Sequence, residues 1–567
     1  MGKADRTVDE LVGMVKHGEL RLPEMQRGYV WKAPRVRDLL DSLYRGYPSG
    51  AILVWETDAE VPLRDAAVTQ EVSGSNKTML LLDGQQRLTS LAAVIRGDKI
   101  AVRGKKPIEL LFNLDHPDSL PFVTEVEEEA ESDEEDDLAD ADADEMTQRF
   151  GKMTFIVSTN KLANIPTWVR VTELFKSDGN TPFIKRAGVT NIDDERFEKY
   201  NDRLNRLRAI RQYIYRVDIL DSDLSYDEVT EIFVRVNSLG AKLRSSDLAM
   251  AQITAKWRNS LKVFEEFRDK CADDGFRVEL GIHVKNLVAF ATGQSRFKTV
   301  HLLDQAKLIS AWDECKYGFE YAINFIKNSA RIDSPSLLSS PFLLIAIAFA
   351  GHQLDYELTP QQAADLRYWL LTANTKGRLS RGSSETLLDQ DLANMKGGKG
   401  FGGLIDTLRT QFGRLDIEAA DLEGRNARSA YFKTMFMAFR QDGATDWRSS
   451  LHISFANVGK KHSLQFHHIF PRAVLKGHYS AKLINDIANL AFLDGKTNRK
   501  ISSKPPEEYL PAVVAKQGPQ ALAAQCIPAD PALLRIDRFP DFLVERRKLV
   551  VERLNRFLND AKKLHQI

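Results

Sequence analysis

Three short stretches near the C-terminus decide the fold of the region that contains them. Residues 466–471 read FHHIFP, residues 487–493 read IANLAFL, and residues 497–500 read TNRK. The first two stretches have the apolar and aromatic composition of strands, the first ends at a proline, and the third places Thr and Asn at a helix start. The pattern predicts a ββα hairpin that gathers residues around one divalent metal ion, because neutral imidazole and amide oxygen can both ligate such an ion.

The ordered set of these motifs resembles the HNH, or His-Me finger, endonucleases, in the form fused to the C-terminus of GmrSD-type restriction proteins. The resemblance makes His468 the general base that activates water, and a histidine suits proton abstraction near neutral pH. It makes Asn489 the residue that fixes the loop and the base, and it places metal ligands at His467 and Asn498. On the residues alone, two adjacent histidines can also be plain strand residues. The two asparagines stand at the positions that the family motif requires, and this favours the catalytic site over plain strand residues.

The residues around these C-terminal motifs also indicate which metal ion and which nucleic acid the region would bind. The position before the base is often acidic in this family, and the histidine found here removes one negative charge, so the choice between Mg²⁺ and Mn²⁺ stays open. Residues 460–504 contain nine Lys or Arg against two Asp, a local charge of +7. This surplus favours the phosphate backbone of double-stranded DNA, with Arg499 and Lys500 as candidate contacts.

A second set of motifs lies near the N-terminus. The strand-like MLLL at residues 79–82 leads into DGQQR at residues 83–87 and then into the helical LTSLAAVIR. A turn glycine lets the backbone approach a ligand, the helix N-terminus offers unpaired N–H groups, and an arginine adds a fork of donors. These are the parts of a phosphate site, although strand, turn and helix also occur together without a ligand.

Two companion motifs make this interpretation more specific. LPEMQRGYVW lies at residues 22–31, and FVRVNSLGAKL lies at residues 233–243 and is followed by an aspartate. In this order the three motifs resemble the ParB/sulfiredoxin-like nucleotidase domain of GmrSD-type proteins. The resemblance implies binding and hydrolysis of a nucleoside triphosphate, GTP in first place. It assigns the following residues to the nucleotide: Asp83, Gly84, Gln85, Gln86, Arg87, Gln26, Arg27, Asn237 and Asp247. Helix capping is an equal alternative for Asp247, which follows two serines.

The aromatic pair Tyr29 and Trp31 is the candidate for reading a DNA modification. These side chains could stack on a base or form an apolar pocket, and packing in the core is the equal alternative. Lys and Arg attract any polyanion, so discrimination must come from a shaped pocket. A sulfur-substituted phosphate is softer and less hydrated than a normal one, whereas a glucosyl group needs several convergent hydrogen-bond partners. Phosphorothioate DNA is therefore favoured over glucosylated cytosine.

The composition is that of a soluble globular protein of several domains, with 567 residues, 43% hydrophobic and 28% charged. The longest apolar run, at residues 342–350, is too short for the ~20 residues of a membrane span. The chain starts directly with a helical pattern and shows no secretory signal. Its three isolated cysteines form no disulfide framework, which fits a reducing cytoplasm.

The charge balance hides an acidic insertion. Lys and Arg equal Asp and Glu at 79 each, but residues 125–145 hold 14 acidic residues and no basic one. The remainder therefore carries 79 basic against 65 acidic residues. Such a run is typical of a solvated, disordered loop, predicted at 124–147, with mimicry of DNA as the alternative.

The fold class expected is a multidomain α+β protein. A ParB/sulfiredoxin-like α/β domain is predicted at 1–260, a helical domain with periodic apolar spacing at 261–430, and the ββα-metal nuclease domain at 431–567.

The function implied is a modification-dependent DNA endonuclease with NTP hydrolysis, active in phage defence and similar to the phosphorothioate-sensing SspE nucleases. The rivals are a nucleotide-gated nuclease of unmodified nucleic acid and a DNA-binding regulator with an inactive nuclease domain. The sequence leaves open whether the chain forms a homodimer.

Overall fold

The structure is a computed structural model that forms two compact units, Met1–Leu261 and Lys262–Ile567. The predicted acidic insertion at 124–147 lies outside the described residues. The residues that the structure describes are 2–26, 29, 31–57, 61–64, 78–102, 105–117, 150–159, 162–239, 244–380, 382–455, 457 and 462–563.

The first unit is built on a mixed sheet. The strands of this unit are β1 (Gly2–Thr7), β2 (Leu20–Pro23), β3 (Ile52–Thr57), β4 (Leu63–Arg64), β5 (Thr78–Asp83), β6 (Ile100–Val102), β7 (Lys105–Ile108), β8 (Leu110–Asn113), β9 (Phe155–Val157), β10 (Trp168–Arg170) and β11 (Ile214–Leu220). The main sheet has the order β1-β11-β3-β5-β2-β4, in which β11 with β3 and β2 with β5 pair in parallel and the other neighbours pair antiparallel. A three-stranded antiparallel sheet has the order β10-β8-β9, and β6 pairs with β7.

Helices cover both faces of the main sheet. The helices of the unit are α1 (Val8–Lys16), α2 (Ala33–Tyr44), α3 (Gln85–Arg96), α4 (Val171–Lys176), α5 (Thr181–Arg186), α6 (Glu195–Arg208), α7 (Tyr226–Leu239) and α8 (Ser245–Lys256). Successive side chains of a strand point to opposite faces. Accordingly Ile52 and Val54 join a core with α1, α2 and α3, whereas Leu53 and Trp55 join a second core with Phe233 of α7. All four strand residues are buried, so β3 is apolar on both sides.

The N-terminus corrects one expectation. The helical pattern at the start of the chain predicts α1 but not β1, whose polar residues pair antiparallel with β11 at the edge of the sheet. Thr7 ends the strand and caps the helix. Its hydroxyl accepts a hydrogen bond from the Glu10 N–H at 3.2 Å, and the Glu10 carboxylate accepts one from the Thr7 N–H at 2.7 Å. This capping box satisfies two backbone groups at the helix start.

The second unit is mostly helical. Its helices, the first of which begins just before the boundary between the units, are α9 (Ser260–Asp273), α10 (Leu280–Thr292), α11 (Gln305–Asn328), α12 (Phe342–His352), α13 (Pro360–Lys376), α14 (Ser384–Lys396), α15 (Gly400–Phe412), α16 (Ala419–Leu422), α17 (Ala430–Gln441), α18 (Arg472–Leu475), α19 (Ala481–Ile484), α20 (Gly495–Ile501), α21 (Pro506–Gln517), α22 (Gln520–Ala523) and α23 (Phe539–Asp560). The apolar run predicted to be too short for a membrane forms α12, where Leu343 to Gly351 are all buried. A helix that is apolar all round belongs in a core.

Two strands complete the second unit as an antiparallel hairpin, β12 (Leu464–His468) and β13 (Leu490–Asp494), and α20 follows directly. The predicted order of strand, strand and helix is therefore present. The second strand is shorter than expected, because Ile487–Asn489 forms a 3₁₀ turn before it. Asp486 caps this turn by accepting a hydrogen bond from the Ala488 N–H at 2.8 Å.

The α+β class is confirmed, whereas the ParB-like and HNH assignments stay predictions. The predicted boundary at 430 lies inside the second compact unit. Among the described residues, no helix is both long and apolar enough to cross a membrane.

Candidate active site

The two histidines of β12 lie on opposite faces of the hairpin, as strand alternation requires. His467 pairs with Ala491 and His468 with Leu490 in the antiparallel register. His467 is 3% exposed, whereas His468 is only half-buried. The two side chains therefore meet different environments.

His467 has a partner at each ring nitrogen. Its Nδ1 lies 2.7 Å from the Oδ1 of Asn498, and its Nε2 lies 3.2 Å from the hydroxyl of Tyr509. That hydroxyl donates its one proton to the Ile469 carbonyl at 2.9 Å. Burial lowers the pKa of His467 to about 4, against the opposing effect of Asn498, and His468 lowers it further. The ring is therefore neutral at pH 7.

These contacts fix where the proton of His467 lies. The Oδ1 of Asn498 can only accept, so Nδ1 of His467 has the ring proton and donates it to Asn498 at 2.7 Å. Nε2 is then the acceptor nitrogen of the neutral ring, 3.2 Å from the Tyr509 oxygen. A divalent ion bound between Nδ1 and Oδ1 would take the place of that proton.

The donor set suits a borderline divalent ion. The two facing atoms are an imidazole nitrogen and an amide oxygen, and Tyr509 orients the imidazole from its other nitrogen, as the outer partners of metal-bound histidines do. Among the described residues, no group of three or more His, Cys, Asp or Glu could hold a metal ion. The two candidate ligands, His467 and Asn498, are both neutral, whereas Mg²⁺ is usually bound through carboxylate oxygens.

His468 contacts an asparagine that the sequence interpretation missed. Its Nε2 lies 3.1 Å from the Oδ1 of Asn485. Burial lowers the pKa of His468, the bond to Asn485 opposes this effect, and Arg472 adds to it. A neutral ring at pH 7 can accept a proton, which is the state that a general base needs.

Asn489 is fully buried and all its amide atoms are used. Its Oδ1 accepts a hydrogen bond from the Phe470 N–H at 2.9 Å, and its Nδ2 donates to the carbonyls of Phe470 and Ile484 at 3.1 and 2.9 Å. The side chain therefore ties the segment after β12 to the segment before β13.

A network of buried charged side chains also holds the segment before β13 in place. Asp486 is fully buried and accepts hydrogen bonds from the Gly424 N–H at 2.8 Å and from Arg547 at 2.6 Å. Arg546, the neighbouring residue on α23, donates to the carbonyls of Ala488 and Gln525 at 2.8 and 3.0 Å. A buried carboxylate needs such partners to remain charged.

A second carboxylate positions the helix that contains Asn498. Asp494 caps α20 by accepting from the Thr497 N–H at 2.6 Å. Asp446 accepts from the Asp494 N–H and from the Thr497 hydroxyl, both at 2.9 Å, and from the Ser449 N–H at 2.7 Å. Burial opposes ionisation of Asp446, but its backbone hydrogen bonds lower its pKa overall.

The remaining residues predicted in this region lie on α20. Asn498 donates from Nδ2 to the Gln465 Oε1 at 2.8 Å, so strand β12 holds the ligand candidate in place. Arg499 and Lys500 are exposed on the same helix. The structure therefore places two cations directly after the candidate ligand.

In the first unit, DGQQR forms the junction of β5 and α3. Gly84 has φ of 98°, and a Cβ there would lie 2.3 Å from the Cδ1 of Ile52, so only glycine fits without a shift. Gln85 and Gln86 begin the helix and are buried.

Arg87 is held by the protein itself. Its guanidinium donates to the carbonyls of Ser49 and Ala51 at 2.5 and 2.7 Å and to the Asp83 carboxylate at 3.1 Å, and its side chain is 13% exposed. In this structure the fork of donors predicted for phosphate contacts holds the turn between β5 and α3.

The motif at residues 22–31 meets DGQQR directly. Gln26 is buried and donates to the carbonyls of Leu81 and Leu82, at 3.0 and 2.5 Å, just before Asp83. The backbone N–H of Trp31 donates to the Gln86 Oε1 at 3.2 Å. The structure therefore brings these two motifs together, while Arg27 lies outside the described residues.

The aromatic pair packs against the core of the first unit. Tyr29 and Trp31 are both partly buried there. The Tyr29 hydroxyl lies 2.7 Å from the Ser90 hydroxyl, and burial raises the pKa of Tyr29 to about 12. Packing therefore accounts for much of both side chains.

The third motif contributes to the opposite face of the sheet. Phe233 of α7 and Ala251 of α8 pack with Leu82 in the second core. Asp247 is half-buried in the first turn of α8. The side chain of Asn237 lies outside what the structure describes, so its predicted role is not placed.

The comparison with protein families covers most of the first unit. Residues 8–254 match the family model described as GmrSD restriction endonuclease, N-terminal domain. This match supports a GmrSD-type family for the first unit, in agreement with the resemblance of its motifs.

A relative extends through both units. The chain is 23% identical, over an alignment 569 positions long, to an uncharacterized protein of Methanocaldococcus jannaschii, and the alignment covers 91% of this chain and 88% of the relative. The alignment therefore includes residues of both units of this chain.

Several residues of the site have weak signals in the sequence. Tyr509 and Arg547 lie 42 and 61 residues from the groups that they contact. Asn485 and Asp486 stand immediately before the strand-like motif, where a polar pair signals a turn cap, and this signal could have identified them.

Proposed function

We propose that the second unit is a metal-dependent endonuclease that cuts or nicks double-stranded DNA. The observation that supports this proposal most is the contact of 2.7 Å between Nδ1 of His467 and Oδ1 of Asn498, because both atoms can ligate a metal ion and the neutral His468 is the next residue of strand β12. An ion held there would stabilise the charge on the phosphate and on the leaving oxygen. His468 accepts a proton from the attacking water. Arg499 and Lys500 bind the backbone.

The first unit, in this proposal, binds and hydrolyses a nucleoside triphosphate, GTP first. The first N–H groups of an α-helix have no carbonyl partner within the helix, and the dipole favours an anion there. Gly84 adopts the positive φ that the turn into α3 needs, and Arg87 holds the turn in place by three hydrogen bonds. Arg87 then acts on the phosphates mainly through the geometry of this turn.

The activity is that of a modification-dependent restriction enzyme in phage defence. The GmrSD match supports the restriction role, because restriction endonucleases act on DNA. For the modification we propose a phosphorothioate linkage. The backbone N–H of Trp31 contacts Gln86, and the partly buried side chains of Tyr29 and Trp31 would supply the apolar surface that a soft, weakly hydrated phosphate suits.

Cleavage of matched plasmids tests the proposal. Three plasmids of one sequence are compared: one with phosphorothioate linkages, one with glucosylated hydroxymethylcytosine, and one without modification. Each is incubated with Mg²⁺ or Mn²⁺, with and without GTP. We expect metal-dependent cleavage that is fastest for the phosphorothioate plasmid with GTP.

The His468→Ala protein serves as the control for a contaminating nuclease. DNA binding without cleavage in any arm, by wild-type protein that is folded and metal-loaded, would support the inactive regulator instead. Equal cleavage of all three plasmids would remove the modification dependence and keep the nuclease.

A further inference from the structure

We propose that Asn485 is a positioning residue that fixes the tautomer of His468 and makes Nδ1 the atom that accepts the proton from water. The observation is the contact of 3.1 Å between the Oδ1 of Asn485 and the Nε2 of His468. This inference rests on the proposed nuclease function, and it adds a residue that none of the three sequence motifs contains.

In the contact between His468 and Asn485, the imidazole is the donor and the amide oxygen is the acceptor. A neutral imidazole has one donor nitrogen and one acceptor nitrogen, and an amide oxygen can only accept. With the Asn485 oxygen facing Nε2, the proton of the His468 ring lies on Nε2, and the lone pair lies on Nδ1. A general base needs its lone pair on the side of the substrate, so the partner of the other nitrogen decides which tautomer can react.

The backbone around Asn485 is fixed by residues other than its own side chain. The Asn485 N–H donates to the Ala481 carbonyl at 3.0 Å. Asp486 follows it and is bound by Gly424 and Arg547, and the carbonyl of Ile484 before it accepts from Asn489. The Asn485 amide group is therefore presented by a segment that is tied on both sides.

The side chain of Asn485 contacts His468 and does not hold the surrounding backbone segment in place. Among the described contacts of the Asn485 amide, the bond to His468 is the one that joins it to another element of the site. Removing this amide should leave the loop held by Asp486 and Asn489. A loss of activity would then come from His468 and not from unfolding of the loop.

The proton balance of the step is complete. Nδ1 takes one proton of the water as the water oxygen bonds to phosphorus, and the bond from phosphorus to the leaving oxygen breaks. The leaving oxygen takes a proton from solvent. The His468 ring becomes a cation with protons on both nitrogens, and the Asn485 oxygen accepts from Nε2–H throughout. A hydrogen bond from a charged donor is stronger than one from a neutral donor, so Asn485 stabilises the protonated base.

Two variants separate this role from a structural one. Asn485→Leu removes the acceptor at similar volume, and Asn485→Asp keeps an oxygen acceptor at the same position. Asn559→Leu, an exposed amide near the end of α23, is the matched control. For Asn485→Leu we expect kcat to fall roughly 10- to 100-fold with KM and Mn²⁺ affinity unchanged, as for other residues that orient a reacting group. Asn485→Asp should restore kcat to within a few-fold of wild type.

A spectroscopic measurement makes the test independent of catalysis. Long-range ¹H–¹⁵N spectra of metal-free protein labelled at histidine report the tautomer of each ring, and His468→Ala identifies the His468 signals. We expect the proton on Nε2 in the wild type, the same form in Asn485→Asp, and a mixture of tautomers in Asn485→Leu.

The outcomes distinguish this inference from the proposed function. If wild type cuts DNA and Asn485→Leu cuts equally fast, or if the tautomer is the same in both proteins, the positioning role is wrong. If wild type does not cut DNA at all, the proposed function fails, and the spectra still decide whether Asn485 sets the tautomer. A KM effect without a kcat effect would also contradict the role, because it would indicate a substrate contact.

Discussion

Two deeply buried histidines of the second unit differ in their partners. His467 of the hairpin and His283 of α10 are 3% and 1% exposed, and burial lowers the pKa of each to about 4. His467 has a contact at both ring nitrogens. The nitrogens of His283 meet no hydrogen-bond partner among the described residues, and its ring packs against Phe267 and Phe319.

This difference shows why burial and a lowered pKa do not by themselves identify a functional histidine. Both rings are neutral at pH 7 for the same physical reason, the cost of burying a charge. The hydrogen-bond partners distinguish them, because polar groups contact His467 from two elements, α20 and α21, whereas the His283 ring packs among aromatic side chains of a helical core.

The strongest test of the comparison is to remove a histidine from each region. His468→Ala should lower the rate of DNA cleavage by about 10²- to 10⁴-fold, because loss of a general base has this effect, while DNA binding stays near wild type. His283→Leu should cleave like wild type. Plasmid nicking and a gel-shift titration measure the two properties. Nicking at the wild-type rate by folded His468→Ala protein would remove the catalytic assignment.

Stability at low pH should report the missing partners of His283. Its folded pKa of about 4 lies below the ordinary value of ~6.5, so the unfolded chain binds the proton first as the pH falls. The stability that the neutral ring retains above pH ~6.5 is therefore lost between pH ~6.5 and about 4, by up to about 3 kcal/mol.

Urea unfolding of the wild type and of His283→Leu at several pH values measures this effect. The leucine variant should lose less stability on acidification, and the remaining pH dependence should come from other groups, His467 among them. Parallel pH dependences in the two proteins would show that the His283 ring is solvated or bonded.

Arg87 extends the comparison to the first unit, where a predicted ligand group serves as a structural one. Arg87→Ala should destabilise this unit by about 1.5 to 3 kcal/mol, since charged hydrogen bonds to Ser49 and Ala51 are lost. Nucleotide hydrolysis should fall roughly ten- to a hundredfold as the turn loosens. A thermal melt and a phosphate-release assay measure the two effects.

Arg96→Ala, on the same helix and in a longer ion pair with Asp98 at 3.6 Å, is the control and should change neither quantity much. Hydrolysis that persists in Arg87→Ala but disappears in His468→Ala would show that the nucleotide site is misplaced.

The sequence predicts the local parts of the fold and of the site. The hairpin, α20 and the junction of β5 and α3 follow from patterns within about ten residues. The residues that complete the sites come from far away in the chain, as Tyr509 does for His467, and no local spacing indicates them. Strand β1 was missed because its polar edge residues lack an apolar alternation, and its pairing with β11 depends on a segment more than 200 residues away.

The smallest expected effect concerns the basic surface of α20, where Lys500 is exposed two residues after Asn498. If this helix lies along the DNA backbone, Lys500→Ala should weaken binding a few-fold at low salt, for any DNA sequence. The slope of log affinity against log salt should fall by ~0.9, the value for one phosphate contact. Lys548 lies on α23, where its ammonium group pairs with Glu545 at 3.0 Å. Lys548→Ala is the matched control and should leave the slope unchanged. An unchanged slope in Lys500→Ala, together with normal cleavage, would show that DNA reaches His468 from another side of the hairpin, because a lysine facing a phosphate releases counterions when it binds.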